Sequence, residues 1–253
     1  MSYKQSFCIP CFWNGPDPQA VRATIAAAAR IGYPAVELWD RRHFPFDLIC
    51  QVAGDHGMVV STMCGHGTLG DGLNRRENHA RIRDEILESI AVAHERGIAN
   101  LICFSGNRHG GSDVEGIEVT AEGLSLVKEA AEQAGVTLVL ELLNSKVDHP
   151  GYQCDHMAWG LEVCRRVGSP RVKLLYDIYH MQIMEGDLIR TITEHIAWIG
   201  HFHTAGNPGR HEMDETQEIN YRAVAAAIRR TGYDRFIAHE FTPTGDKLRA
   251  LEQ

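Results

Sequence analysis

TLVLE at 137–141, VKLLYD at 172–177, IGHFH at 199–203 and RFIAHE at 235–240 decide how this chain is read. Each is a short apolar run that ends on an acid or an imidazole, giving Glu141, Asp177, His203 and Glu240. Short apolar runs of this kind suit strands buried on both faces of a parallel sheet. From Glu141 to Asp177 is 36 residues, from Asp177 to His203 is 26, and from His203 to Glu240 is 37. Each interval is about one strand–helix unit. Successive strands that deliver one such side chain apiece to the same end describe the functional rim of an eight-stranded α/β barrel.

Working outward, the remaining sequence supplies the missing units. Strands are expected at 6–12, 35–39, 58–64, 100–104, 137–142, 171–176, 197–203 and 235–240. Helical patterns fill the intervals at 17–31, 45–56, 77–96, 114–134, 155–167, 187–195 and 221–231, with a last helix from about 244. Gly32, Gly57, Gly97, Gly135, Gly168 and Gly232 stand just past six of them, where a helix end favours glycine. Strands alternating with helices imply parallel βαβ units, and eight of them close a (β/α)8 TIM barrel. No linker or low-complexity segment interrupts 1–253, so a single TIM-barrel domain is expected.

Bulk properties agree. The chain has 253 residues, 44% of them hydrophobic, enough for one such barrel and its core. A formal net charge of −8 argues against nucleic acid or an anionic membrane as partner, since both select for Lys and Arg. No apolar stretch approaches the roughly 20 residues of a membrane span. Seven cysteines, an odd and scattered set, suit a reducing compartment, so a cytoplasmic location is expected. A homo-oligomer stays open.

Three carboxylates and one imidazole make a ligand set for a divalent cation such as Mg²⁺ or Mn²⁺. Strand alternation places Glu37, Lys173 and His201 on the inward faces of their strands. A charged Lys inside a dry barrel needs a partner. The expectation is therefore a buried polar layer beneath the metal in which Lys173 meets Glu37 or His201. Moving a proton between adjacent carbons of a hydroxy-carbonyl substrate passes through an enediolate. A metal stabilises that charge, and two carboxylates move the proton. Glu141 and Glu240 suit the second task.

YDIYHMQIMEGDL at 176–188, IGHFHTAGNPGRHE at 199–212, EINY at 218–221 and HEF at 239–241 closely resemble the hydroxypyruvate isomerase family. That family lies within the xylose-isomerase-like TIM barrels, alongside ketose 3-epimerases and, more distantly, endonuclease IV. The resemblance is strong over 137–243; in the first half only the βα rhythm and GYPAVELW at 32–39 carry it. It implies that Glu141, Asp177, His203 and Glu240 bind a divalent metal (Mg, Mn or Co) and that Glu141 and Glu240 form the acid/base pair. His180 and Arg210 match the family's substrate-binding His and Arg, and Asn144 carries over as a further substrate contact, with Asp148 beside it. The implied reaction converts hydroxypyruvate to tartronate semialdehyde; the implied partner is a small hydroxy-carbonyl acid or sugar. Two departures bear on the substrate. Hydroxypyruvate isomerases carry glutamine where this chain has His203, whereas 3-epimerases carry histidine. CIPCFW at 8–13 also replaces an Asn-containing first strand.

A ketose 3-epimerase, or another sugar isomerase on the same metal site, is the alternative reading. A non-catalytic sugar-binding barrel is a remote one. An endonuclease would need several zinc-binding histidines and a basic groove. His66, in the glycine-rich CGHGTLGDG at 64–72, sits at the rim by position and is a candidate substrate contact. Trp13 and Trp39 are placed to wall the site. Residues 204–219 form a long charged loop of the kind that covers a barrel mouth, with Arg210 in it. Cys8 and Cys11 lie inside an apolar run without a second pair, against a zinc or redox reading.

Overall fold

The computed structural model describes residues 3–13, 15 and 17–252. In chain order the elements are β1 (Lys4–Phe7), α1 (Ile9–Phe12), α2 (Pro18–Ile31), β2 (Ala35–Glu37), α3 (Phe46–Asp55), β3 (Val59–Cys64) and α4 (His79–Arg96). There follow β4 (Asn100–Cys103), α5 (Asp113–Ser125), α6 (Lys128–Ala134), β5 (Thr137–Leu142), α7 (Met157–Val167), β6 (Val172–Asp177) and α8 (Ile178–Met184). The last are α9 (Leu188–His195), β7 (Ile199–Thr204), α10 (Tyr221–Arg230), β8 (Phe236–His239) and α11 (Lys247–Ala250).

The eight strands form one parallel sheet in the order β1-β8-β7-β6-β5-β4-β3-β2. A parallel bridge from Cys8 to Glu37 joins its two ends, so the sheet curls into the expected TIM barrel. Helices cover the outside, and local chemistry sets their limits. Asp17 caps α2 by accepting hydrogen bonds from the Gln19 and Ala20 amides at 3.0 Å, a contact worth about 1 kcal/mol in typical helices. At the other end Gly32 takes the left-handed conformation (φ 105°), as Gly97 does after α4. Gly160 lets α7 lie close against the sheet: a Cβ there would come within 2.7 Å of Leu174 Cδ2.

Three expectations need correction. The first strand ends at Phe7 rather than Phe12, because Pro10 has no amide for a ladder and instead occupies the first turn of α1. The helix expected at 114–134 is two helices, broken where Val127 leaves helical geometry (φ −125°) and turns its side chain into the core. Lys173 joins no buried layer. It is the second residue of β6, at the mouth opposite Asp177, and its long chain reaches out to donate from Nζ to the Ala197 carbonyl at 2.6 Å. A lysine so near a strand's start keeps its charge in water by this route.

Two irregular steps in the ladder align the interior. Between β6 and β7, Leu174 pairs with Ile199 and Leu175 with His201, so Gly200 is an extra residue. A Cβ on Gly200 would meet Val139 Cγ1 at 2.8 Å and Lys173 Cβ at 2.9 Å, which explains a glycine there. The step brings Asp177 level with His203. A similar step between Val36 and Glu37 sets Glu37 beside Thr62.

Candidate metal and substrate site

Strand register turns four distant residues into one cluster. His203 Nδ1 lies 3.0 Å from Glu240 Oε2, 3.2 Å from Glu141 Oε1 and 3.9 Å from Asp177 Oδ2. One ligand atom from each of the four lies within 4.8 Å of all the others, and all four residues are buried. Asp177 divides its carboxylate: Oδ1 caps α8 by accepting from the His180 amide at 3.0 Å, leaving Oδ2 to face His203.

The electrostatics of the cluster call for a cation. Three carboxylates converge here and a fourth, Glu37, lies directly below, against the Arg210 guanidinium and the histidines. Burial raises Glu141 to about 7. Burial also pushes Glu240 up, but Arg210 and His203 outweigh it and hold the carboxylate well below its usual range. For His203, burial disfavours charge, yet Glu37 and Glu240 drive its basicity well above that of a free imidazole. His203 Nδ1 touches two carboxylates without an aligned hydrogen bond to either. Hard oxygen donors with one imidazole nitrogen, convergent and unsatisfied, fit a divalent metal ion.

Beneath the quartet is the half of the expected polar layer that does form. Glu37 Oε2 bonds His201 Nε2 at 2.9 Å, and Oε1 lies 2.9 Å from His203 Nε2. Thr62 and Asn100 continue the layer, Asn100 Nδ2 donating to Thr62 Oγ1 at 3.4 Å. All are buried.

Above the quartet, a cavity of about 290 Å³ is walled by Trp39, Ile102, Phe104 and Leu143, with Glu141, Glu240, Arg210, His66 and His149 supplying polar groups. Arg210 sits in the 204–219 loop with φ 58°, a left-handed conformation uncommon for arginine and held by its neighbours. Its Nη2 donates to Glu240 Oε2 and approaches Asp177 Oδ2 at 3.4 Å, while the guanidinium lies over the Tyr179 ring. His180 is fully buried; its Nδ1 accepts from Asn144 Nδ2 at 2.6 Å, which leaves Nε2 to carry the proton, 3.6 Å from Asp177 Oδ2. Asn144 donates also to Asp148 Oδ2 at 2.6 Å and accepts from the Val147 and Asp148 amides, so it orients His180 from behind. His66 Nε2 accepts from the Phe104 amide at 2.9 Å, and its Nδ1 has no partner. Burial lowers His66 to about 4, keeping it neutral.

Glu141, Asp177, His203, Glu240, Arg210, His180, Asn144 and His66 thus lie in or beside one constellation, and Trp39 walls its cavity as expected, whereas Trp13 is not part of that wall and packs behind it against Phe44. The sequence reading missed how Trp39 and Glu37 engage the quartet, although the alternation in AVELW puts both on one face. Cys8 and Cys11 are free and form no metal cluster among the described residues. A second cavity, about 310 Å³, lies near α10 and α11 and is lined by Tyr33, Tyr221, Val224 and Leu251, with none of the quartet. No helix among the described residues is long and apolar enough to cross a membrane.

A parallel eight-stranded barrel with this buried acid–imidazole cluster at the strand ends defines the class of TIM barrels, with a rim compatible with a metal site. The chain belongs to the xylose isomerase-like TIM barrel family, whose model matches residues 25–252. It is 27% identical over 250 residues to a human protein named putative hydroxypyruvate isomerase, covering 94% of this chain and 90% of that one. It is 38% identical over 122 residues to the 2-oxo-tetronate isomerase of Cupriavidus necator, 48% of this chain and 46% of the other. A crystal structure described as AP endonuclease, family 2, from Brucella melitensis superposes with a TM-score of 0.87 at 25% identity, covering 99% of this chain and 96% of that one. The protein is an isomerase of this family.

Proposed function

We propose that this protein is a divalent-metal-dependent aldose–ketose isomerase that interconverts hydroxypyruvate and tartronate semialdehyde. The observation that carries the reading is the approach of Glu141 and Glu240, from β5 and the end of β8, to the same nitrogen of His203 at 3.2 and 3.0 Å. Two carboxylates beside one cation site, under a cavity of about 290 Å³, suit proton transfer between neighbouring carbons of a small substrate.

Glu141, Asp177, His203 and Glu240 would hold the metal, which supplies Lewis-acid stabilisation of negative charge on the substrate's oxygens. Arg210 pairs with the substrate carboxylate, a task for which its planar fork is suited. His180, its Nε2–H fixed by Asn144, donates to a substrate oxygen, and His66 Nδ1 serves a second. One of Glu141 and Glu240 takes the carbon-bound proton and the other delivers a proton to the adjacent carbon. The apolar wall of Ile102, Phe104 and Leu143 limits water around the enediolate.

A second reading has support in two observations. His203 matches the histidine of ketose 3-epimerases, and the relative from Cupriavidus necator is named for a four-carbon 2-oxo acid. Isomerase assays from hydroxypyruvate through 2-oxo-tetronate to hexuloses, with chelator and then with added Mn²⁺, Mg²⁺ or Co²⁺, separate the two. Hydroxypyruvate should give the highest kcat/KM and chelation should abolish it. Glu141→Gln and Glu240→Gln should each lower kcat by about 10²–10⁴-fold, the usual worth of a positioned acid or base. Full activity in chelated protein overturns the metal mechanism, and a longer substrate turned over far better moves the assignment to it.

A further inference from the structure

We propose that Trp39 is a positioning residue that holds Glu240 for proton transfer; the inference rests on the reading of Glu240 as an acid/base group. The backbone fixes Trp39 first. Beyond the end of β2, the Leu38 amide donates to the Thr62 carbonyl at 3.2 Å and the Cys64 amide donates to the Trp39 carbonyl at 3.2 Å. Trp39 is therefore tied to β3 as a strand residue would be, two positions past Glu37 and on the same face. Its indole packs edge-on against Phe44, ring centres 5.9 Å apart, and Phe44 lies 5.4 Å from Trp13. From that support Nε1–H donates to Glu240 Oε1 at 2.6 Å.

The result is a division of labour between the two oxygens of one carboxylate. Oε2 faces His203 Nδ1 at 3.0 Å and the Arg210 guanidinium. Oε1 faces the indole, and Trp39 and Glu240 both line the cavity. An indole is a donor only, so it occupies one lone pair of Oε1 and never competes to receive a proton. The other lone pair is left for the substrate. As the substrate's C–H bond breaks, its electron pair moves into the enediolate and the proton goes to Glu240 Oε1, or returns from there to the neighbouring carbon. Turning the carboxylate out of line would sacrifice a short, charge-assisted hydrogen bond.

The test combines an indole spectrum with kinetics. The protein carries four tryptophans, so ¹⁵N-tryptophan labelling gives a readable set of indole N–H resonances, and Trp39→Phe identifies the one that belongs to Trp39. Glu240→Gln should move that resonance and leave the other three in place. Trp39→Phe should lower kcat by about ten- to a hundredfold, the scale of a misplaced catalytic group, with KM and Mn²⁺ affinity held within about threefold. A Trp39 resonance indifferent to Glu240→Gln, or full kcat in Trp39→Phe, overturns the proposal. Should the wild-type protein turn over no substrate, it is the isomerase reading that fails, and the resonance still decides whether Trp39 holds Glu240.

Discussion

One carboxylate, that of Glu37, spans two histidines: Oε2 meets His201 Nε2 and Oε1 meets His203 Nε2, each at 2.9 Å. His203 then presents Nδ1 to Glu141 and Glu240. A carboxylate on the far nitrogen fixes which nitrogen is left for a metal and raises its basicity.

Glu37→Gln keeps the shape and removes the charge. Metal affinity, read by competition with a chromophoric chelator, should fall by about 10–100-fold. Thr62→Val, in the same buried layer without touching His203, should leave it unchanged. Equal losses in both variants would reduce Glu37 to a packing role.

The loop that carries Arg210 depends on Gly206. Its amide donates to the His211 carbonyl at 2.8 Å, and a Cβ at this position would collide with the Glu212 carbonyl oxygen. Gly206→Ala should therefore displace Arg210 and lower kcat/KM by about 10²-fold, while the thermal melt of the barrel shifts little. An alanine variant with normal kinetics would show that the loop absorbs the clash without moving Arg210.

His66 makes stability depend on pH. Burial lowers it to about 4 from an ordinary 6.5. The unfolded chain therefore binds a proton that the folded chain refuses between those values. The stability due to neutral His66 is present in full above 6.5 and is lost as pH falls through 4. The whole effect is at most about 3 kcal/mol. Urea unfolding at pH 7 and pH 5 should show a smaller drop in His66→Gln than in wild type. Identical drops would mean that His66 is protonated without penalty in the fold.

The barrel and the quartet were legible because both follow from local repetition. A strand buried on two faces must be apolar along its length, so a polar residue at its end is conspicuous, and parallel βα units bring every such end to one rim. Depth was less legible. Alternation assigns Lys173 and Glu37 to the same kind of face, yet Lys173 lies at the mouth away from Asp177 and escapes to the Ala197 carbonyl. The step at Gly200, which brings His203 level with Asp177, shows in sequence only as a glycine inside a strand. Pro10 was a visible stop signal, and the first strand does end before it.

By itself, then, the sequence determined the repeat, the end of the barrel that bears chemistry, and the four side chains delivered there. Only the tertiary structure decided what holds them. Glu37 reaches residues 164 and more positions away in the chain, and Trp39 reaches Glu240 across 201. Such contacts exist only once the first strands close against the last. Closure also chooses which oxygen or nitrogen of each group faces its neighbour, a matter of register and side-chain direction that no local pattern encodes.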